Sequence, residues 1–327
     1  MHDELRAALA GLLDGLPPKQ AAQAVDRLIA NYRGRTPTDA PVLRDRSDVA
    51  AYAAYRMPAT FEAARAALAA FAARVPGWSP AAHVDIGGGT GAATWATAAT
   101  WDGVRSTVLD WAQPALDLGR ELAAGMLPDT TWQRQIIGDG LTVPDGTDLV
   151  TVSYVLGELR PEARRAVVAA AATAGSVVLV EPGTPEGYLR IREAREQLVA
   201  AGLRIVAPCP HSAACPIVPR VGAPPAVAGG DWCHFSVRVS RSSLHRQVKG
   251  GSLAYEDEKF SYVAATRSDA APAAARIVRK PQLRKGQVLL DLCTADDGLR
   301  RSTVTKRQGT AYRAARDAAW GDDWPPA

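Results

Sequence analysis

The chain has no apolar run that approaches the roughly 20 residues needed to cross a bilayer. Its first residues, Met1-His2-Asp3-Glu4-Leu5-Arg6, mix acids with a base and do not lead a charged stretch into an apolar one. Neither a membrane span nor a targeting peptide is expected, and the inferred compartment is the cytoplasm. Cysteine is scarce: there are 4 in 327 residues, none before Cys209, and no Cys-x2-Cys pair is formed. Zinc ribbons and fingers normally bring ligands in such pairs. In an intracellular chain, structural disulfides are not expected either. There are no internal repeats. The formal net charge is only +4, but it is unevenly placed. Residues 276–316 hold eleven Lys/Arg against three Asp, and an excess of that kind at one end points to a polyanion partner. A hydrophobic content of 47% is enough for a full core, read as one large domain with additions.

What is present is organised around Asp85-Ile86-Gly87-Gly88-Gly89-Thr90-Gly91-Ala92. An apolar run ends in Asp-x-Gly-x-Gly-x-Gly and passes at once into an alanine-rich helical segment. Strand, glycine turn and helix let bare backbone close around a nucleotide-like ligand. A dinucleotide site uses Gly-x-Gly-x-x-Gly, and Ala92 is tolerated at its third position. In S-adenosylmethionine (SAM) methyltransferases an acid stands two positions before the first glycine, as Asp85 does, to hold the methionine end of the cofactor. Asp110 closes the run Ser106–Asp110 where a ribose diol is bound. Ile136-Ile137-Gly138-Asp139 puts another acid after a third apolar run, at the place used for the adenine amine. The stretches Asp148–Leu159 and Ser176–Gly183 read as fourth and fifth buried parallel strands. The predicted cofactor is therefore SAM, held by Asp85, Gly87, Gly89, Gly91, Asp110 and Asp139. The fold predicted is α/β, a doubly wound, seven-stranded sheet of the SAM-methyltransferase type.

Around that sheet, helical periodicity covers Asp3–Leu13 and Lys19–Tyr32. A Thr36–Pro41 loop follows, and then a long run from Ser47 that Pro58 should kink or divide. Residues 1–76 form this N-terminal helical region, and 77–267 the SAM-binding domain. Within the domain, Gln113–Ala124, Pro161–Ala172 and Ile191–Ala201 are crossover helices. Gly202–Val206 is a sixth strand and Phe260–Thr266 a seventh, antiparallel one. Between those two strands lies an insertion, 207–259, rich in Pro, Gly and Cys. Residues 268–327 form a basic extension with two or three short strands, at Arg276–Val278, Gln287–Cys293 and Ser302–Lys306. Its Arg279, Lys280, Arg284, Lys285, Arg300, Arg301, Lys306 and Arg307 are candidate RNA contacts.

The cysteines are spaced Cys209-x5-Cys215-x17-Cys233-x59-Cys293. Two of them are Cys-Pro steps, a context common among iron–sulfur ligands. In a loop-like insertion they do not look like core, and metal binding is inferred. Iron–sulfur and zinc both remain open here, since His211, His234 and His245 can also ligate.

Longer stretches carry a resemblance. These are Pro41–Arg46, Tyr52–Thr60, Asp231-Trp232-Cys233-His234-Phe235-Ser236, Arg241–Gly250 and Tyr255–Tyr262. Together they resemble the ribosomal small-subunit methyltransferase-like family, whose bacterial and mitochondrial members associate with the small ribosomal subunit during assembly. The resemblance implies a SAM-type fold and a four-iron–four-sulfur cluster on Cys209, Cys215, Cys233 and Cys293, with zinc as the alternative metal. It also implies the small ribosomal subunit and its rRNA as partners; no membrane partner is expected, and the oligomeric state is left open with a monomer expected. After the fourth strand the chain has Ser153-Tyr154-Val155-Leu156-Gly157-Glu158 and not the Asn/Asp-Pro-Pro-Tyr/Phe of base amino methylases. No cysteine stands there to act as a nucleophile for cytosine C5. No catalytic residue is assigned. The expected function is a SAM-binding, iron–sulfur assembly factor that binds rRNA. The alternative is an active methyltransferase on small-subunit rRNA or a ribosomal protein, and a third class is an NAD-linked enzyme resting on the glycine turn alone.

Overall fold

The computed structural model describes residues 2–13, 46–217, 231–241, 253–296 and 298–326. It opens with α1 (His2–Leu13) and the long α2 (Arg46–Ala72). One stripe explains the length of α2. Val49, Ala53, Met57, Phe61, Ala64, Leu68 and Phe71 recur at three- and four-residue intervals and are all buried. Pro58 lies inside the helix and does not divide it. A proline costs a helix interior roughly 3 kcal/mol, and the buried stripe on both sides of it offsets that loss. The helix expected over Lys19–Tyr32 and the Thr36–Pro41 loop lie outside the described residues.

From residue 82 the chain alternates strand and helix. The elements are β1 (Ala82–Ile86), α3 (Ala92–Ala98), β2 (Arg105–Asp110), α4 (Gln113–Ala123), β3 (Thr130–Arg134) and β4 (Leu149–Ser153). They continue with α5 (Pro161–Ala171), β5 (Ser176–Pro182), α6 (Pro185–Ala200), β6 (Arg204–Ala207), β7 (Phe235–Ser240) and β8 (Tyr255–Thr266). The strand order is β3-β2-β1-β4-β5-β8-β6. Strands β1 to β5 pair in parallel, while β8 runs antiparallel between β5 and β6. This is the expected SAM-methyltransferase-type sheet, and β7 adds an eighth strand by pairing with β8. Its two faces carry separate cores. One lies under α2, α3 and α4, with Phe61, Trp95, Leu118 and Leu122; the other lies under α5 and α6, with Val167, Val168, Ile191 and Leu198. Strand order reverses between β1 and β4, the switch point over which such sheets bind ligands.

Several boundaries differ from the sequence reading; the antiparallel strand, for one, begins at Tyr255 and not at Phe260. The third strand is Thr130–Arg134, and Ile136 lies in the loop beyond it, 78% exposed. An apolar run marks a strand buried on both faces, whereas β3 is an edge strand and carries polar residues. Helix α6 begins at Pro185, ahead of Ile191, because Thr184 caps it by accepting the Gly187 N–H at 3.1 Å.

A second, antiparallel sheet follows, made of β9 (Ala275–Ile277), β10 (Gln282–Arg284), β11 (Gln287–Thr294), β12 (Gly298–Thr305) and β13 (Asp323–Trp324), with α7 (Thr310–Asp317) against it. Strands of two and three residues explain why five form where two or three were expected. Ile277, Val288, Leu290, Leu292, Val304 and Ala315 give this sheet its own core. An ion pair ties it to the first sheet's side of the molecule, Asp323 meeting Arg74 at 2.8 Å; Asp323 also meets Arg276 at 2.7 Å within the second sheet.

Candidate functional site

The glycine turn sits at the C-terminal end of β1, over the switch point. Gly87 and Gly88 donate to the Leu109 carbonyl at 2.7 and 3.2 Å, which ties the turn to β2. Gly91 has φ +84° and caps α3, and a Cβ there would lie 2.6 Å from the Trp132 ring. Gly89, with φ +54°, differs: a Cβ there would meet nothing nearer than the Asp110 carboxylate at 3.8 Å. Packing therefore demands glycine at 91. At 89 it leaves a cradle that a side chain would fill.

Two of the predicted acids meet around this turn. Asp110, at the end of β2, accepts the Gly89 N–H at 2.9 Å and the Ala112 N–H at 2.8 Å, and burial raises its pKa. Asp85 lies beneath the turn and is fully buried; its oxygens accept the Thr151 hydroxyl at 2.8 Å and the Thr94 hydroxyl at 3.0 Å. Burial lifts its pKa to about 6, against the opposing pull of those hydroxyls. Thr151 continues to His83 at 2.8 Å, and His83 to Ser106 at 3.0 Å. Burial lowers the His83 pKa to about 3, so the ring is neutral. The chain Ser106–His83–Thr151–Asp85–Thr94 thus braces three strands and α3 under the turn. Asp139 stands apart, exposed in the loop after β3.

A second cluster, which sequence reasoning did not bring together, closes the end of β4. Tyr154 has φ +62°, strained for a bulky residue. Its hydroxyl donates to Glu258 of β8 at 2.9 Å. Arg56 of α2 grips the same carboxylate with both terminal nitrogens, at 3.0 and 3.3 Å, and lies over the Tyr154 ring at 5.3 Å. Burial, then the nearby Glu258 charge, keeps the phenol protonated. Beside it, buried Glu181 of β5 accepts the Leu156 N–H at 3.0 Å and Arg190 at 2.6 Å, fixing the turn after β4. No sequence signal links Arg56, Tyr154 and Glu258, which lie on three distant elements.

The four cysteines line one pocket between the two sheets, with Tyr188, Ile217, Tyr262, Arg195 and Arg276. Cys209 follows β6, Cys215 lies in the loop beyond, Cys233 precedes β7 and Cys293 comes from β11. Burial raises the thiol pKa of Cys209 and Cys233, and that of Cys293 to about 12. His211 Nε2 is 3.7 Å from the Cys293 sulfur, while His234 is stacked on Trp232. His245 lies outside the described residues. Among the described residues no group of three or more His, Cys, Asp or Glu stands ready to hold a metal ion.

Of the basic residues, Lys280, Arg284, Lys285, Arg300, Arg301, Lys306 and Arg307 are exposed on the second sheet and the turn after it. Some are compensated: Arg301 pairs with both oxygens of Asp291, and Arg279 pairs with Asp231. Among the described residues no helix is long and apolar enough to cross a membrane.

The human mitochondrial ribosome assembly protein METTL17 is 28% identical over 300 residues, covering 84% of this chain and 62% of that one. The Rsm22-cox11 tandem protein 2 of Schizosaccharomyces pombe, also mitochondrial, is 31% identical over 184 residues, covering 46% of this chain and 24% of that one. The chain thus spans about a quarter to three-fifths of the length of these curated relatives. A solved precorrin-6y C5,15-methyltransferase of Geobacter metallireducens aligns with TM-score 0.37 and 15% identity, over 61% of this chain and 87% of that one. The model of the family described as mitochondrial small ribosomal subunit Rsm22 matches residues 46–325, and the chain belongs to that family.

Proposed function

We propose that this protein is a SAM-binding assembly factor of the small ribosomal subunit, and that SAM serves it as a ligand and not as a methyl donor. The observation that carries this is the pairing of an open cradle with a closed end of β4. At Gly89 the turn leaves room for a ligand, and Asp110 is at hand. After β4, where base amino methylases carry their acceptor motif, Tyr154, Glu258 and Arg56 satisfy one another. In this proposal Gly87, Gly89 and Gly91 shape the turn, Asp110 faces the ribose, Asp139 serves the adenine side, and Asp85 supports the turn from beneath. The relatives' names supply the ribosomal role. Those relatives are mitochondrial by name; for this chain the proposal is the small subunit of its own compartment.

Domain limits of 1–76, 77–267 and 268–327 are part of the same proposal, with the basic sheet as the rRNA contact. So is a metal centre on Cys209, Cys215, Cys233 and Cys293. The donor set suits iron–sulfur chemistry, being four soft sulfurs with no carboxylate in the pocket wall. A lone zinc, held by sulfurs about 2.3 Å away, is the alternative metal. When bound, the centre would cross-link the insertion to β11, so that ligand energy is also docking energy.

Two measurements test the function. Incubation of purified small-subunit precursors with methyl-labelled SAM should leave rRNA and ribosomal proteins unlabelled while SAM binds; labelled product would establish the methyltransferase instead. Binding to small-subunit rRNA should weaken by roughly 0.7 to 0.9 log units per log unit of salt for each phosphate neutralised. A flat salt profile would remove the basic sheet from the interface.

A further inference from the structure

The pocket lined by the four cysteines also carries three arginines: Arg192 is partly exposed and pairs with Glu196 at 3.5 Å, while the other two are buried and the fold alone does not explain them. Arg195 of α6 and Arg276 of β9 are each only 4% exposed. Arg195 spends Nη2 on the carbonyls of His211 and Ala213, at 2.8 and 2.7 Å, clasping the loop between Cys209 and Cys215. Its Nε–H has no partner. Arg276 gives Nε to Pro208 at 2.9 Å and Nη1 to Gly321 at 2.7 Å, yet its Nη2 has no partner. Register fixes its place, because Arg276 is the cross-strand partner of Cys293. No Asp or Glu lines the pocket. Buried guanidinium groups with unused donors are costly in an apolar wall unless an anion meets them.

We propose that Arg195 and Arg276 are the counter-charges of a net-anionic four-thiolate metal centre in this pocket and raise its reduction potential. This rests on the four-cysteine reading above. Four thiolates on a four-iron–four-sulfur core leave a dianion, as they do on one zinc ion, and two guanidinium groups match that charge. Reduction of a cluster adds one electron and one more negative charge. Cations and N–H donors at the sulfurs favour the reduced form. The two arginines are not equal. Asp323 pairs with Arg276 and with Arg74, so part of the Arg276 charge is already balanced. Arg195 has no carboxylate in the pocket wall, and its removal has the larger effect.

The test uses the full chain purified without oxygen. Wild-type protein lacking iron, sulfide and zinc would sink the four-cysteine reading itself, and this inference with it. With a cluster present, dye-mediated dithionite titration should give Arg195→Met a midpoint shifted to more negative potential. Arg276→Met should shift less in the same direction, and Arg195→Lys should recover most of the wild-type value. Arg195→Met with full iron and sulfide at an unchanged midpoint overturns the proposal. So does equal loss of cluster in the Met and Lys variants, since the carbonyl clasp would then be the whole role. If the metal is zinc, the same variants are read by chelator competition: weaker retention in Arg195→Met, restored by Lys, supports the proposal, and unchanged retention overturns it.

Discussion

The glycine turn and the thiol pocket are built on opposite principles. The turn is continuous chain: Asp85 to Gly91 passes over the end of β1, and Asp110 arrives on the neighbouring strand in register. Backbone conformation selects its residues, as the left-handed angles at Gly87, Gly89 and Gly91 show. The pocket is gathered from α6, the loop after β6, the approach to β7, β9 and β11, across two sheets. Side chains define it, and no local conformation requires a cysteine at any of the four positions. The turn forms whenever the first sheet folds, whereas the pocket exists only when the second sheet docks.

That contrast predicts a double separation, and its largest effect is nearly all-or-none. Cys293→Ser should strip the protein of iron and sulfide while leaving SAM affinity unchanged; full metal content with an unaltered visible spectrum would mean Cys293 is no ligand. Gly89→Ala should do the reverse. A Cβ at φ +54° is tolerable and meets no protein atom within 3.4 Å, so stability falls by only about 1 kcal/mol. It fills the cradle, and SAM affinity measured by calorimetry should fall about 100-fold, or ~2.7 kcal/mol. Gly91→Ala is the control for packing. There the Cβ meets Trp132 at 2.6 Å, and the loss should appear as lower stability. Equal SAM affinity in Gly89→Ala and wild type would place the cofactor elsewhere.

The same contrast explains what could be read from the sequence. Strands buried on both faces announce themselves as apolar runs, so β1, β2, β4 and β5 and their terminal acids were legible, as was the antiparallel β8. Edge strand β3 was not, because one covered face does not force an apolar run, and the exposed Ile136-Ile137 pair took its place. The four cysteines could be singled out as unlike core, but their convergence is tertiary. Arg195 and Arg276 look like ordinary solvated residues in the sequence, and only the tertiary fold buries them. Pro58 does not divide α2, because a local rule is outweighed by a continuous buried stripe. Arg56, Tyr154 and Glu258 left no periodic trace at all.

Within the first region, Asp85 and His83 should hide one another's pH dependence. The Asp85 pKa is raised from 3.8 to about 6, so its contribution to stability is lost as pH rises across that interval. The His83 pKa is lowered from 6.5 to about 3, so its contribution is lost as pH falls across that one. Between about pH 4 and 6 the two slopes oppose, each about 1.4 kcal/mol per pH unit, and wild-type stability should be nearly flat from this pair. Asp85→Asn should expose the histidine slope, with denaturant midpoints dropping as pH falls. His83→Gln should expose the opposite slope, with midpoints dropping as pH rises. Parallel profiles for all three proteins would show that the network does not titrate as a unit.

The smallest effect is expected at Tyr154, where the closed end of β4 is put to the test. Tyr154→Phe removes one hydroxyl that donates to Glu258 at 2.9 Å. Glu258 keeps both contacts from Arg56, at 3.0 and 3.3 Å, so no buried carboxylate is left unpaired. The cost should be about 1.5 kcal/mol, the low end for a hydrogen bond to a charged group, because Arg56 still meets the carboxylate. The ring still fills its space, so the substitution should leave SAM affinity unchanged and release no methyl transfer to small-subunit precursors. Arg56→Ala, by contrast, removes both charged contacts at once and should cost more than Tyr154→Phe. A drop in SAM affinity with Tyr154→Phe would make the hydroxyl part of the cofactor site. Methyl transfer appearing in that variant would show that the cluster was holding back an acceptor site, and SAM would then have to be treated as a substrate.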